Sequence, residues 1–105
     1  MKAFTDINQS KKLAEILPLE SADMYYWCGE DLRIGGHRAM DIDYDIPCWS
    51  LAALLDVLPD TMLGKDKDGY VVMAETMGSG QTTFASNSID ACVEMIIKLK
   101  EQNLL

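Results

Sequence analysis

Apolar and polar positions follow one another along the chain in a pattern that predicts three helices. The middle one lies in an apolar block between Pro47 and Pro59, and it is expected to span residues 50–58. Ser50 is a plausible N-cap, and Pro59 stops the helix because proline has no N–H and disfavours helical geometry in the residue before it. Asp56 is the only charge in this block. A helix that is apolar nearly all round belongs in a core or under a partner.

Two further helices are predicted near the ends of the chain. Thr5 can cap the first, which carries apolar residues at helical spacing and ends by Pro18. Asn87 or Ser88 can cap the last, and Asn103 is a plausible end signal. The apolar face of this last helix consists of Ile89, Cys92, Val93, Ile96 and Leu99. More than half of its surface therefore has to be covered.

Four segments rich in strand-forming residues are predicted to be strands. They are residues 24–28, 32–34, 70–74 and 82–85. Residues 77–81 contain two glycines and are expected to form a flexible loop, so that the last two strands make a hairpin with a long connection. Residues 37–46 are expected to be a loop or an irregular edge strand, and residues 60–67 a polar connection.

The order of these elements is α-β-β-α-β-β-α. Strand hairpins with helices between them favour an α+β fold, here three helices with a largely antiparallel sheet of about four strands. A length of 105 residues fits one domain covering residues 1–105, and no linker divides the chain.

Composition and charge limit the classes of function. Apolar residues make up 49% of the chain, which is typical of a globular protein, and no apolar run approaches the ~20 residues of a membrane span. The first residues turn polar at once, so the protein is expected to be cytoplasmic. The net charge is −8, with nine carboxylates and two arginines between Glu20 and Asp60. Direct binding to nucleic acid or to anionic membranes is therefore disfavoured.

Few residues suggest chemistry, and no catalytic residue is assigned. Asp41, Asp43 and Asp45 alternate, so in an extended conformation their carboxylates would point to one side, where a hard cation such as Ca²⁺ prefers oxygen ligands. The pattern is not an EF-hand, and a solvated acidic face is favoured over a metal site as its explanation. His37 is the only histidine, and with Cys28 or Cys48 it could form a nucleophile–base pair.

The other sequence features argue against a cofactor. The glycine-rich segment 78–83 is compared with a phosphate-binding loop. Such a loop needs a glycine at the position of Glu75, before this segment, and a lysine at the position of Gln81. The three cysteines are far apart and odd in number, which predicts buried free thiols rather than a disulfide framework or a zinc site. No cofactor is expected.

Three segments, residues 9–24, 47–59 and 89–99, resemble parts of small uncharacterised proteins of gut Bacteroidales and their phage-like elements. The matching positions are mostly apolar and helix-capping residues. The resemblance therefore implies a shared core, and it assigns no catalytic residue to this chain.

These observations favour a non-catalytic protein–protein interaction module, acting as accessory cargo of a mobile element. Self-association into a homodimer through Trp49, Leu54, Leu55 or the last helix is expected, because exposed apolar patches mark interfaces. The acidic surface could instead contact a basic partner, including a nucleic-acid-binding protein. The alternative class is a metal- or small-ligand-binding protein or a small hydrolase, using Asp41, Asp43 and Asp45 or His37 with a cysteine.

Overall fold

Three α-helices and six β-strands make up an α+β fold in the computed structural model, which describes residues 2–76 and 78–105. The predicted fold class, the three helices and the antiparallel pairing are confirmed. None of the described helices is long and apolar enough to cross a membrane. In chain order the elements are α1 (Ile7–Ala14), β1 (Met24–Trp27), β2 (Asp31–Ile34), β3 (Ile46–Cys48), α2 (Leu51–Val57), β4 (Thr61–Asp66), β5 (Gly69–Thr76), β6 (Ser79–Ala85) and α3 (Ser88–Glu101).

The chain divides into two compact units. The N-terminal unit is Ala3–Ala53, and the C-terminal unit is Leu54–Leu105 together with Lys2. The division falls inside α2. The expectation of a single domain over residues 1–105 stays a prediction.

The six strands form two antiparallel sheets of three, not one sheet of about four. The order is β2-β1-β3 in the N-terminal unit and β4-β5-β6 in the C-terminal unit. The prediction missed two strands. In β3 a proline at position 47 obscures the strand, and β4 has the pattern of a polar connection because lysine, aspartate and glycine dilute its apolar residues.

The long hairpin loop predicted at residues 77–81 is also wrong where the structure describes it. Residues 79–81 belong to β6, and β5 pairs with β6 as far as Thr76 opposite Ser79. Met77 lies outside the described residues. β5 and β6 are therefore longer than their β-branched and aromatic segments alone indicate.

Helix capping follows local side-chain chemistry. Asp6, not Thr5, caps α1, because its carboxylate accepts from the Gln9 N–H while the Gln9 side chain accepts from the Asp6 N–H. The predicted Ser50 cap is confirmed for α2: its hydroxyl accepts from the Ala53 N–H at 3.3 Å. The Asp23 carboxylate supports this cap by accepting from the Ser50 N–H at 2.9 Å and from the Ser50 hydroxyl.

Both ends of α3 lie where the sequence predicts them. The Asn87 side chain accepts from the Asp90 N–H at 2.8 Å. At the other end Asn103 has a positive φ of 56°, and the Leu104 N–H donates to the Leu99 carbonyl at 2.8 Å. This is the left-handed helix termination in which the residues beyond the helix satisfy its last carbonyls.

A buried polar cluster around Thr5 connects three elements of the N-terminal unit. Thr5 Oγ1 lies 2.7 Å from Ser10 Oγ and accepts from the Trp49 N–H at 3.1 Å. The Tyr26 hydroxyl donates to the Thr5 carbonyl at 2.6 Å. Thr5 and Ser10 are completely buried. If a mutation removed one member of this cluster, water could not replace the lost hydrogen-bond partner. Thr5 therefore organises the interior of this unit instead of capping a helix.

Burial shifts the titration of Tyr26 in this cluster. Desolvation, followed by the nearby Cys48 thiol, raises the pKa of Tyr26 to about 12, against an unfolded value near 10. Between these two values the folded chain keeps the phenol proton and the unfolded chain loses it. Stability from Tyr26 is therefore fully present below about pH 10 and is lost as the pH rises toward 12.

We expect Tyr26→Phe to lower the free energy of unfolding by about 1 kcal/mol at pH 7, because the bond to the Thr5 carbonyl is lost. The gap between the two proteins should narrow above pH 10, since only the wild type has a phenol to ionise. Urea unfolding under reducing conditions from pH 7 to pH 11.5 measures this gap. A gap that stays constant over this range would contradict the assignment.

Candidate functional site

The sheet of the C-terminal unit has one covered and one open face. α3 packs on β5 and β6, and the Thr83 hydroxyl donates to the Ala91 carbonyl at 2.8 Å. Val72 and Ala74 face this helix and are 0% and 2% exposed. Because side chains alternate along a strand, the neighbours of these residues point to the other side. We call that side the open face.

The strand register arranges the open face in rows that run across the three strands. The central rows are Met62–Met73–Thr82 and Gly64–Val71–Phe84. Met62, Met73 and Phe84 are 67%, 42% and 49% exposed. Directly opposed side chains in antiparallel strands lie about 5 Å apart at Cβ, and diagonal neighbours about 7–8 Å apart. Met62 and Met73 in one row and Val71 and Phe84 in the next therefore form one continuous apolar surface.

A shallow groove of about 540 Å³ runs along one end of the open face. Its lining includes Met62, Met73, Thr82, Asp60 and Glu75. The volume falls in the range of ligand pockets, yet the groove lies on a sheet surface instead of inside a cleft. Surfaces of this kind suit a docked side chain or segment better than a fully enclosed small molecule.

Two acidic residues are opposed across the strands at the groove end of the open face. The Glu75 N–H donates to the Asp60 carbonyl at 2.9 Å, which continues the ladder by one row beyond Thr61 opposite Ala74. Asp60 and Glu75 are thus directly opposed and both exposed. The described residues contain no ion pair that joins either one to a base. Opposed like charges destabilise a sheet, here by a few tenths to about 1 kcal/mol.

The three predicted metal ligands organise a loop of the N-terminal unit. Asp41–Asp45 forms a turn, not an extended segment, with the Asp45 N–H donating to the Asp41 carbonyl at 2.8 Å. The Asp45 carboxylate is largely buried and accepts from the Cys28 N–H at 2.7 Å and the Asp41 N–H at 2.8 Å. The Asp41 carboxylate accepts from the Asp43 N–H at 3.0 Å.

Coordination of a metal by these aspartates stays a prediction. The turn and its hydrogen bonds account for their positions without a metal ion. Among the residues that the structure describes, no three or more His, Cys, Asp or Glu side chains are arranged to hold a metal ion. Asp45 ties the 41–45 turn to the end of β1. Its charge is therefore used within the fold.

Two of the predicted interaction residues belong to the interior. Trp49 and Leu54 are 0% exposed, and the Trp49 indole N–H donates to the Ser21 hydroxyl at 2.9 Å. Leu55 is half-buried. The apolar face of α3, also predicted to support self-association, is buried from Ile89 to Leu99. The apolar surface that a partner would need lies on the sheet instead.

Two of the three cysteines lack the features of an activated nucleophile. Cys48 and Cys92 are completely buried. Burial raises the pKa of the Cys48 thiol, and it raises the pKa of Cys92 to about 11, so both stay protonated and unreactive near neutral pH. Cys28 is exposed at the end of β1, with a positive φ of 52°. The side chain of His37 lies outside what the structure describes, so a pairing with Cys28 stays a prediction.

Exposed apolar residues of the N-terminal unit do not combine in the same way. Ile34 pairs with Met24 and shares a face with Tyr26, whereas Trp27 lies on the opposite face, where the Arg33 guanidinium stands 4.8 Å from its ring centroid. A cavity of about 280 Å³ next to Ile42 is lined by Lys11 and by Asp45, whose carboxylate is already occupied. The strand register joins exposed apolar residues from neighbouring strands on the open face, and no such register joins Ile34 with Trp27.

Sequence reasoning missed the open face because it missed β4. The available signal in the sequence was that Val71 and Met73, like Val72 and Ala74 between and after them, are apolar. This pattern indicates a strand, β5, with two apolar faces. With Asp60–Lys67 interpreted as a connection, no partner strand was available for Met62. Comparison of the chain with protein-family models, with curated proteins and with solved structures finds no match in any of the three.

We expect Asp45→Ala to lower the free energy of unfolding by about 2 kcal/mol, because two backbone N–H groups lose a charged acceptor. The matched variant Asp43→Ala should change it by less than about 0.5 kcal/mol. Urea unfolding of both variants, with and without millimolar Ca²⁺, tests this. Stabilisation of the wild type by Ca²⁺ that Asp43→Ala abolishes would favour the metal site instead.

We expect Glu75→Gln and Asp60→Asn each to raise the free energy of unfolding by roughly 0.2–1 kcal/mol, since either change removes the same repulsion. The double variant should add little to either single variant, because a repulsion disappears once one charge is gone. Thermal unfolding at low and high salt measures both effects. Additive changes that do not depend on salt would contradict the opposed-charge geometry.

Proposed function

We propose that this protein is a small cytoplasmic, non-catalytic module that binds another protein through the open face of its C-terminal sheet. The observation that carries the proposal is the group of exposed apolar side chains formed by Met62 and Met73 in one row and Phe84 in the next, on a sheet whose other face is already covered by α3. Contiguous exposed apolar surface is costly in water and marks interaction sites.

The composition of the open face supports a protein partner. Methionine is flexible and polarisable, so Met62 and Met73 can adapt to the side chains of a docked surface. Phe84 supplies an aromatic ring of the kind that is enriched at the core of interfaces. Thr82 and the opposed carboxylates provide polar groups at the edge. The arrangement of apolar centre and polar edge is that of a protein interface.

A role as accessory cargo of a mobile element fits the resemblance of residues 9–24, 47–59 and 89–99 to proteins of Bacteroidales phage-like elements. Such a role needs only a folded binding surface and no reaction. The partner would then be a protein of the same element or of its host. Self-association is the rival form of the same proposal, with the open face in place of Trp49 and Leu54, which are buried.

A photo-crosslinking amino acid at Phe84 should give a discrete adduct with a partner in the native cell. The double variant Met62→Gln/Met73→Gln should reduce this adduct at least fivefold, because it removes apolar surface while preserving side-chain length. Its melting temperature should stay close to that of the wild type, since both residues are exposed. Gel electrophoresis and mass spectrometry of the adduct measure the result.

Ile34→Gln is the matched control for this experiment. Ile34 is 86% exposed, more than Met62 or Met73, but it lies in the N-terminal unit and outside the open face. It should leave the adduct at Phe84 unchanged. An equal loss in the control, or an adduct that persists in the double variant, would overturn the proposal.

A further inference from the structure

We propose that the groove at Met62 and Met73 takes an extended segment of a partner protein in which an apolar side chain and a lysine or arginine lie two positions apart. This inference rests on the proposed function and names the chemistry of the partner. The segment would contact two neighbouring rows of the open face: the apolar row of Met62 and Met73, and the acidic row of Asp60 and Glu75.

The acidic row supplies the argument from charge. Asp60 and Glu75 are opposed across the strands and line the same groove, and the described residues contain no base paired with them. A cationic side chain placed between the two carboxylates would replace a repulsion by two attractions. The row is thus unfavourable in the free protein and becomes favourable when a base is docked.

The apolar row supplies the argument from distance. Met73 and Glu75 are two residues apart on β5, so the centres of their rows lie about 7 Å apart along the strand. An extended partner segment that runs along β5 presents its residues i and i+2 to the open face with the same spacing. An apolar residue at i then lies over Met62 and Met73 when the basic residue at i+2 lies over Asp60 and Glu75.

A second copy of this chain suits the groove poorly. The charged residues on the outward rows of the sheet are Asp60, Asp66 and Glu75, all of them acids, and the chain as a whole carries −8. Two open faces packed together would bring carboxylates near carboxylates and offer no cation to either row. Charge complementarity therefore favours a different, basic partner over self-association.

Three synthetic peptides test the inference on the full chain. The first carries leucine and lysine two positions apart on a serine–threonine background. The second carries them at adjacent positions, which point to opposite sides of an extended chain, and the third replaces lysine by glutamate at the original spacing. Methyl NMR of Met62 and Met73 reports where each peptide binds and how tightly. The first should shift both methyl signals and bind at least fivefold more tightly than the other two.

Charge variants distinguish attraction of the peptide by the two groove carboxylates from attraction by the overall negative charge of the chain. Asp60→Asn and Glu75→Gln should each weaken binding of the first peptide at least threefold and reduce its salt dependence. Glu94→Gln removes the same charge from an exposed position on α3 and should leave the affinity unchanged within a factor of two. Equal weakening by Glu94→Gln, or equal binding of all three peptides, would overturn the inference.

Failure of this inference can be distinguished from failure of the proposed function. If the peptides do not discriminate while the Phe84 adduct still depends on Met62 and Met73, only the partner chemistry is wrong. If the adduct is a second copy of this chain, the basic partner is likewise excluded while the open face keeps its role. If the adduct does not depend on the methionines, the interface itself is wrong.

Discussion

A three-stranded sheet has two faces, and α3 covers one of them. This packing determines most of what the C-terminal unit presents to solvent. The alternation along β5 sends Val72 and Ala74 into the contact with α3 and leaves Val71 and Met73 on the other side. With a polar outer face, the unit would be an ordinary two-layer fold of a helix on a sheet, with water on the other side of the sheet. Here the outer face is apolar at its centre, and this is the surface that the proposed protein partner would cover.

Acidic residues serve different purposes in the two units. In the N-terminal unit the Asp23 and Asp45 carboxylates accept hydrogen bonds from backbone N–H groups, one at the start of α2 and the other in the turn after β1. Their charges stabilise the fold directly because an ionised acceptor strengthens such bonds. Asp60 and Glu75 receive no comparable support within the described residues. Carboxylates of the acidic segment 20–60 therefore differ in role: Asp23 and Asp45 are used within the fold, whereas Asp60 lies exposed beside the open face.

The sequence predicted what depends on local chemistry. Ser50 and Asn87 cap their helices as expected, and the strong strand formers of β1 and β5 lie in strands. It failed where long-range packing decides. The residues of β4 have a weak intrinsic preference for strand, and they form one because β5 pairs with them. Thr5 does not cap α1, because it is bonded to Ser10 and Tyr26 in the buried cluster. The prediction placed Trp49 on a surface because an apolar residue near a helix start has the same pattern in a core and at an interface.

The candidate site was the least predictable part because it depends on register. Asp60 and Glu75 are fifteen positions apart in the sequence, and nothing in their local context brings them together. Only the antiparallel pairing of β4 with β5 opposes them, and the same pairing sets Met62 beside Met73 in the adjacent row. A slip of β4 by one residue would turn the side chains of Met62 and Asp60 toward α3, and burial of the Asp60 carboxylate there without a partner would be strongly disfavoured. The register that buries Val72 and Ala74 is thus the same constraint that opposes the two carboxylates next to an apolar row.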